Sequence, residues 1–139
     1  MVAGVVATSE AGFWAALLCE ESVMPSVAKL QARYYLSTGI WPVLHRSSFE
    51  GVTGRKQDYW LVRTVGLLAA SIGLGLYAGS RDGSEVSGDM RVAAIASSVG
   101  FAGIDLVEVA RGRISPVYLL DLAAQVALLT AWRKSTKPR

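Results

Sequence analysis

Three acidic side chains, Asp105, Glu108 and Asp121, interrupt apolar stretches of this sequence, and one basic side chain, Arg63, interrupts another. A charged group at the centre of an apolar helix costs about 2.5–3.5 kcal/mol on the membrane-insertion scale, so such groups face partners rather than lipid. Carboxyl groups in these surroundings pair with cations, keep a proton or transfer protons. His45, the single histidine, ends a further apolar stretch and is available for the same chemistry.

The rise of a helix brings these residues to one level. At about 1.5 Å per residue, Arg63 lies about 6 Å into its helix, Glu108 roughly 5 Å, Asp105 roughly 9 Å and Asp121 about 8 Å from the same surface. Asp105 and Glu108 are spaced i,i+3 and therefore share a helix face. We expect a polar cluster formed by Arg63, Asp105, Glu108, Asp121 and His45, in which Arg63 is the natural counter-ion of the acids.

Three acids against one arginine leave excess negative charge in this cluster. Either Arg111 or His45 compensates it, or one acid keeps its proton. The cluster is then either a structural ion-pair network that fixes helix register or a polar pocket for a ligand or lipid head group. A third reading is a set of acids that transfers protons.

Four apolar segments must position the cluster. Residues 59–79 carry one charge in 21 residues, and about 20 apolar residues cross the hydrocarbon of a membrane. Pro42 is expected to end or kink the first segment, and Pro116 to lie in the first turn of the last. The short connection "RGRIS" makes the last two segments an antiparallel hairpin. The predicted helices are 27–45, 59–79, 91–111 and 116–132.

Short local patterns predict helix ends and helix contacts. Ser47 and Glu50 fit a capping box in the loop at 46–58. Ser71, Gly75 and Gly79 form a small-xxx-small stripe of the kind that lets membrane helices pack closely. A second stripe consists of Ala94, Ser98 and Ala102.

These elements predict an all-α fold, a transmembrane four-helix bundle with an additional N-terminal helix. Residues 27–133 form the bundle, 134–139 form a basic cytoplasmic tail, and 1–26 form an N-terminal extension. We interpret the extension as a surface or amphipathic helix, with a fifth span as the alternative.

The composition excludes several classes of protein. The chain of 139 residues is 52% hydrophobic and 18% charged, and its mean hydropathy is +0.37, whereas soluble domains carry about 25% charged residues. The net charge of +3 does not indicate a nucleic-acid partner. One cysteine and one histidine exclude an internal disulfide framework and argue against a zinc site, and no nucleotide-binding or hydrolase motif is present. We expect no metal and no cofactor.

The distribution of basic residues predicts the orientation. Eight basic residues fall on the side of the bundle that holds both ends of the chain, against five on the other side. The positive-inside rule then places both termini in the cytoplasm of a multi-pass protein of the bacterial inner membrane. Aromatic residues at both ends of the helices fit the interfacial belts of such a protein.

Three motifs carry a resemblance to a known group. Phe49–Gly54 (F-E-x-V-T-G), Asp58–Gly66 (D-x-W-L-V-R-T-V-G) and Ile114–Asp121 (I-S-P-V-Y-L-L-D) resemble short uncharacterised bacterial four-helix integral membrane proteins. In size and helix count the chain is also similar to DoxX-like membrane proteins. The resemblance covers roughly residues 30–132 and implies a membrane bundle, but it supplies no catalytic residue.

The favoured function is non-enzymatic. We expect a small accessory subunit or a binder of a lipid-like molecule, with membrane lipids as partners and with either further copies of the chain or a larger membrane complex around it. The alternative is a small membrane enzyme or transporter in which Asp105, Glu108 and Asp121 transfer protons and Arg63 holds an anionic group.

Overall fold

The computed structural model describes residues 26–135, and this part of the chain contains five α-helices and no strand. The all-α prediction is therefore confirmed. The predicted N-terminal helix and the last residues of the predicted tail lie outside the described residues. The helices are α1 (Val27–Leu44), α2 (Arg46–Thr53), α3 (Tyr59–Gly79), α4 (Gly88–Ala110) and α5 (Tyr118–Ser135).

Two of the long helices begin at other residues than predicted. In one case a polar side chain caps the helix at an earlier residue, and in the other a turn precedes the helix. Helix α3 matches 59–79 at both ends. Helix α4 begins three residues before the predicted Arg91, because the side chain of Ser87 accepts a hydrogen bond from the backbone N–H of Met90 at 3.3 Å. Helix α5 begins two residues after the predicted Pro116, because the carbonyl of Ser115 accepts from the N–H of Tyr118 in a preceding turn.

The loop at 46–58 contains a short helix, and the capping box predicted for this loop from Ser47 and Glu50 is wrong. His45 is the N-cap of α2, and its Nδ1 accepts a hydrogen bond from the N–H of Ser48 at 3.3 Å. Glu50 does not close a capping box, because its carboxylate instead receives the guanidinium of Arg46 at 3.2 Å, one helical turn away.

A tight connection links α4 to α5, as predicted. Gly112 has a φ of +66°, a left-handed conformation that favours glycine, and the N–H of Arg113 returns to the carbonyl of Glu108 at 2.9 Å. The two helices run antiparallel, since Arg91 near the start of α4 donates to the carbonyl of Trp132 near the end of α5 at 3.4 Å.

Glycine sets the closest helix contact, which joins α1 to α3. A Cβ atom added at Gly39 would collide with the carbonyl oxygen of Gly66, and one added at Gly66 would collide with that of Gly39. One added at Gly73 would lie 3.0 Å from the carbonyl oxygen of Ala32. On α3 the contact thus uses Gly66 and Gly73 rather than the predicted stripe, whose first residue, Ser71, is exposed.

The helices form two closely packed pairs, α1 with α3 and α4 with α5, which touch each other less. At one end of the bundle the pairs enclose a compact core. Its buried members are Ala28 and Ala32 of α1, Leu76 of α3, Ala94 of α4 and Trp132 of α5. At the opposite end the pairs separate and leave a cavity.

Two of the helices, α3 and α4, are long and apolar enough to cross a membrane, with mean hydropathies of 1.6 and 1.7 over their most apolar stretches. Most of their surface is exposed. Large hydrophobic side chains on them face outward, including Leu67, Leu68, Val92, Val99 and Leu106.

The glycine contact generates a prediction about stability. Gly66→Ala should lower the free energy of unfolding by about 1–3 kcal/mol, because the new methyl group meets backbone that has no room to yield. The matched control is Gly103→Ala in α4, where an added Cβ meets nothing within 4 Å. The control should keep or raise the stability, since alanine favours helices by about 1 kcal/mol over glycine. Thermal unfolding followed by circular dichroism measures both, and a Gly66→Ala protein as stable as the control would contradict the proposed contact.

Candidate functional site

A cavity of about 710 Å³ occupies the end of the bundle where the helix pairs separate. Its walls come from the second half of α1, from α2, from the first half of α3, from the last turns of α4 and from the first half of α5. Most of the lining is apolar, and the polar exceptions are concentrated on α1, α4 and α5. This combination of a mainly apolar wall with a few converging polar groups is typical of small-molecule sites.

The cavity opens to the surface past apolar side chains. Every large side chain that both lines the cavity and is itself exposed is a hydrophobic one. These residues are Val52, Leu61, Val65, Ile104 and Leu120. A molecule that enters here therefore crosses an apolar rim before it reaches the polar groups.

Two acids, Asp105 and Asp121, form the polar part of the cavity. Asp121 accepts hydrogen bonds at Oδ1 from the hydroxyl of Tyr34 and from Nε2 of Gln125, the latter at 3.3 Å. Asp105 lies close to Asp121 on the wall of the same cavity.

Asp105 has an unmet hydrogen-bonding capacity. The residue is only 5% exposed, and its Oδ2 atom has no hydrogen-bond partner in the structure. Buried carboxyl oxygens are almost always paired, since an unpaired one costs about 1–3 kcal/mol or more. An exception of this kind, in a residue that lines a cavity, marks a candidate position for a donor from a bound molecule.

A chain of buried hydrogen bonds connects the acids to the compact core. The hydroxyl of Tyr35 donates to Oε1 of Gln125 at 3.1 Å and lies 3.1 Å from Oγ of Ser98. Nε2 of Gln31 donates to the same Ser98 oxygen at 3.1 Å. Nε1 of Trp132 donates to Oε1 of Gln31 at 2.6 Å. We call these residues, with Tyr34 and Asp121, the polar spine.

Aromatic rings surround the acidic end of the spine. The rings of Tyr35 and Phe101 meet edge to face with centroids 5.6 Å apart, and the rings of Tyr34 and Tyr35 are 6.2 Å apart. Phe101 precedes Asp105 by one helical turn, and Tyr118 precedes Asp121 by three residues, so both rings share a helix face with an acid.

Helix α2 and the loop after it close one side of the cavity. The Nζ atom of Lys56 donates to the carbonyl of Thr53 at 3.1 Å and lies 4.9 Å from the ring centre of Tyr118. Burial lowers the pKa of this lysine. The hydrogen bond from Arg46, followed by one from the backbone N–H of Lys56, lowers the pKa of the Glu50 carboxyl, so this acid stays charged and holds α2 to the loop.

The structure brings two of the five expected site residues together. Asp105 and Asp121 line the cavity. Glu108 does not, because its carboxylate is drawn to Arg111 at 3.2 Å and Arg113 at 3.5 Å beyond the end of α4. Arg111 thus compensates the negative charge of Glu108, which is one of the two kinds of compensation expected from the sequence. His45 is exposed and serves as the cap of α2.

Arg63 does not pair with the acids, which corrects the expected ion pair. It is exposed, and no ion pair is formed by it within residues 26–135. The reason lies in the rotation of α3. Val62 and Val65 line the cavity, and successive helical residues are about 100° apart, so Arg63 is turned about 160° from Val65. The depth of Arg63 along the bundle follows from the sequence, but the face of α3 on which it lies does not.

Several residues of the site were not identified from the sequence. Gln31, Tyr34 and Tyr35 all bond across the helix pairs, and their spacing of i, i+3 and i+4 places them on one face of α1. That pattern in an otherwise apolar segment is a usable signal. Lys56 carries no such signal, because only the fold of α2 places it at the cavity. No group of acids, histidines or cysteines able to hold a metal ion occurs in the described part of the chain.

The polar spine generates a prediction that a double-mutant cycle checks. Gln31→Leu leaves the Trp132 N–H without an acceptor, and Trp132→Phe leaves Gln31 Oε1 without a donor, at about 1–3 kcal/mol for each unsatisfied group. The double variant removes both groups and should lose less stability than the sum of the single variants, by about 0.5–3 kcal/mol. The free energy of unfolding is measured for the unmodified protein, the two single variants and the double variant. Strictly additive losses of stability would contradict a direct hydrogen bond.

Comparison of the chain with models of protein families, with curated proteins and with solved structures finds no match. The resemblance to short bacterial membrane proteins, carried by the motifs at 49–54, 58–66 and 114–121, therefore stays a prediction.

Proposed function

We propose that this chain is an integral protein of the bacterial inner membrane that binds a lipid-like molecule in the cavity between its helix pairs. In this proposal α1, α3, α4 and α5 span the membrane, and both termini lie in the cytoplasm. The observation that carries the proposal is the mainly apolar cavity whose wall includes Asp105, a residue with a buried carboxyl oxygen that has no hydrogen-bond partner.

The exposure of the most apolar helices supports the membrane setting. A core helix of a soluble protein is mostly buried, whereas only 28% of the most apolar stretch of α3 and 22% of that of α4 are buried. Large outward-facing apolar surfaces mark contact with lipid or with another protein. The hydrocarbon of a membrane solvates such exposed apolar side chains favourably.

The aromatic residues of α3 support a spanning orientation. Trp60 is 65% exposed at the start of the helix, and Tyr77 is 48% exposed near its end. The 17 residues between these positions correspond to about 26 Å of helix, close to the thickness of bilayer hydrocarbon at about 30 Å. Tryptophan and tyrosine prefer the two interfaces of the membrane.

The position of the cavity supports entry from the bilayer. The rim residues Leu61 and Val65 lie within the first two turns of α3, on the Trp60 side. With both termini in the cytoplasm, this side is the outer leaflet. A molecule with an acyl-like body can reach the acids there without passing through water.

The volume agrees with a ligand of this kind. Small-molecule sites occupy about 300–1,000 Å³, and the cavity lies within this range. A single acyl chain or a compact lipid-like molecule fits such a space, whereas a complete two-chain phospholipid would extend out through the rim.

Proton transfer, the alternative function, has one observation in its favour, the contact between Asp105 and Asp121. The polar spine beyond them argues against a relay to the other side. A relay needs groups that both accept and donate, and the indole N–H of Trp132 at its far end only donates. Ligand binding therefore has the stronger support.

The membrane setting has a direct test. The protein should stay in the membrane fraction after a carbonate wash and be released only by detergent, because α3 and α4 present apolar faces to hydrocarbon. A peripheral membrane protein, washed in parallel, should be released. Release of this chain by carbonate alone would refute the integral-membrane proposal.

The ligand-binding proposal is tested by blocking the cavity. Val65→Trp places a large side chain on the rim and should remove a co-purifying lipid-like molecule, detected by native mass spectrometry from mild detergent. The matched control is Leu68→Trp, an exposed position on the same helix that does not line the cavity. Equal bound mass in Val65→Trp and Leu68→Trp, or none in the unmodified protein, would count against a binding cavity.

A further inference from the structure

The unpaired oxygen of Asp105 specifies what the head group of the ligand must offer. Asp105 lines the cavity, and its buried Oδ2 atom has no hydrogen-bond partner, while Oδ1 of Asp121 already receives two donors. A bound molecule completes this site by donating a hydrogen bond to Asp105. A head group that only accepts hydrogen bonds would leave Oδ2 of Asp105 without a donor.

The charge of the site indicates a cation rather than a neutral donor. Asp105 and Asp121 both line the cavity, and neighbouring carboxyl groups lose their protons one at a time, so the pair carries a negative charge at neutral pH. The ion pairs of residues 26–135 link Glu50 and Glu108 to arginines, and neither Asp105 nor Asp121 takes part in one. A buried charge without a counter-ion is costly, so a ligand that brings a positive charge gains more here than a neutral one.

The basic residue at the cavity does not supply this counter-ion. Lys56 is held by other partners, because its ammonium group donates to the carbonyl of Thr53 and lies over the ring of Tyr118. Burial lowers the pKa of this lysine, and the charge that acts against that effect is Glu50 rather than either aspartate.

The aromatic rings add a second feature suited to an organic cation. Tyr34, Tyr35 and Phe101 line the cavity together with the two acids, and ring faces attract ammonium groups by about 0.5–2 kcal/mol each, depending on how far the cation is desolvated. Rings together with an acid are the arrangement by which proteins recognise alkylammonium ions in apolar surroundings.

We propose that the cavity selects a lipophilic amine, whose protonated amino group donates to Oδ2 of Asp105 among the aromatic rings while its apolar body lies along Val62, Val65 and Ile104. The inference rests on the proposed function, since it names the head group of the molecule that the cavity binds. Fatty acids are disfavoured by the negative charge, and long-chain alcohols satisfy Oδ2 without compensating that charge.

The test uses the full chain in lipid nanodiscs and three probes with the same apolar body, namely octylamine, octanol and octanoate. Isothermal titration calorimetry at pH 7, with empty nanodiscs subtracted, should show saturable binding of octylamine. Octanol and octanoate should bind roughly tenfold more weakly or worse. Equal affinity for octanol and octylamine would overturn the selection of an amine.

Two isosteric variants assign the effect to Asp105. Asp105→Asn should weaken octylamine binding roughly tenfold or more and remove the preference over octanol, because an amide does not pair with an ammonium group as a carboxylate does. Glu108→Gln is the matched control on the same helix, since Glu108 pairs with Arg111 and does not line the cavity, and it should leave the affinity unchanged. An unchanged affinity in Asp105→Asn overturns the assignment. If that variant does not fold, as judged by its thermal unfolding, the ranking of the three probes on the unmodified protein decides the question.

The two proposals fail in different ways. If octanol and octylamine bind equally and Val65→Trp abolishes both, the binding cavity stands and only the selection of an amine falls. If no probe binds above the level of empty nanodiscs, the proposed function falls as well.

Discussion

The arrangement of this bundle depends on the hydrogen bonds that α1 sends across to α4 and α5. Gln31, Tyr34 and Tyr35 lie on one face of α1 and bond to Ser98, Asp121 and Gln125 on the opposing hairpin. Apolar contact between the helix pairs is limited, so these directional bonds fix how the pairs are placed. Because buried polar groups left unpaired are costly, each bond also opposes sliding of one pair along the other.

Fixing helices by polar bonds rather than by close packing has a consequence for the shape of the interior. Interdigitated side chains exclude space, and at the end that holds Leu76, Ala94 and Trp132 they fill the bundle. At the other end the bonds hold the helices at a set distance without filling the volume between them. The cavity can therefore persist in a small protein, bounded by the glycine contact of α1 with α3 on one side and by the α4–α5 hairpin on the other.

The sequence predicts the depth of the candidate site residues along their helices better than the direction in which their side chains point. The bounds of α3 and the common depth of Asp105 and Asp121 follow from hydropathy and from the rise of a helix. Direction depends on how each helix is rotated, and for α3 this is decided by Gly66 and Gly73 against α1, a contact that no local pattern fixes. Arg63 was therefore assigned the right level and the wrong face. Glu108 and His45 were drawn away by local partners, Arg111 and the N–H of Ser48, that compete with any distant cluster.

The separation of the glycine contact from the α4–α5 wall has a consequence for how this protein can diversify. At the Gly39–Gly66 contact, backbone meets backbone, so a change there alters whether the chain folds. Ile104 and Leu120, on the wall opposite, are cavity-lining side chains with 62% and 72% of their surface exposed, so they can change in size at little cost to the fold. Related proteins that share the bundle could thus differ in the molecules they accept through substitutions on one wall, while the opposite wall stays constant.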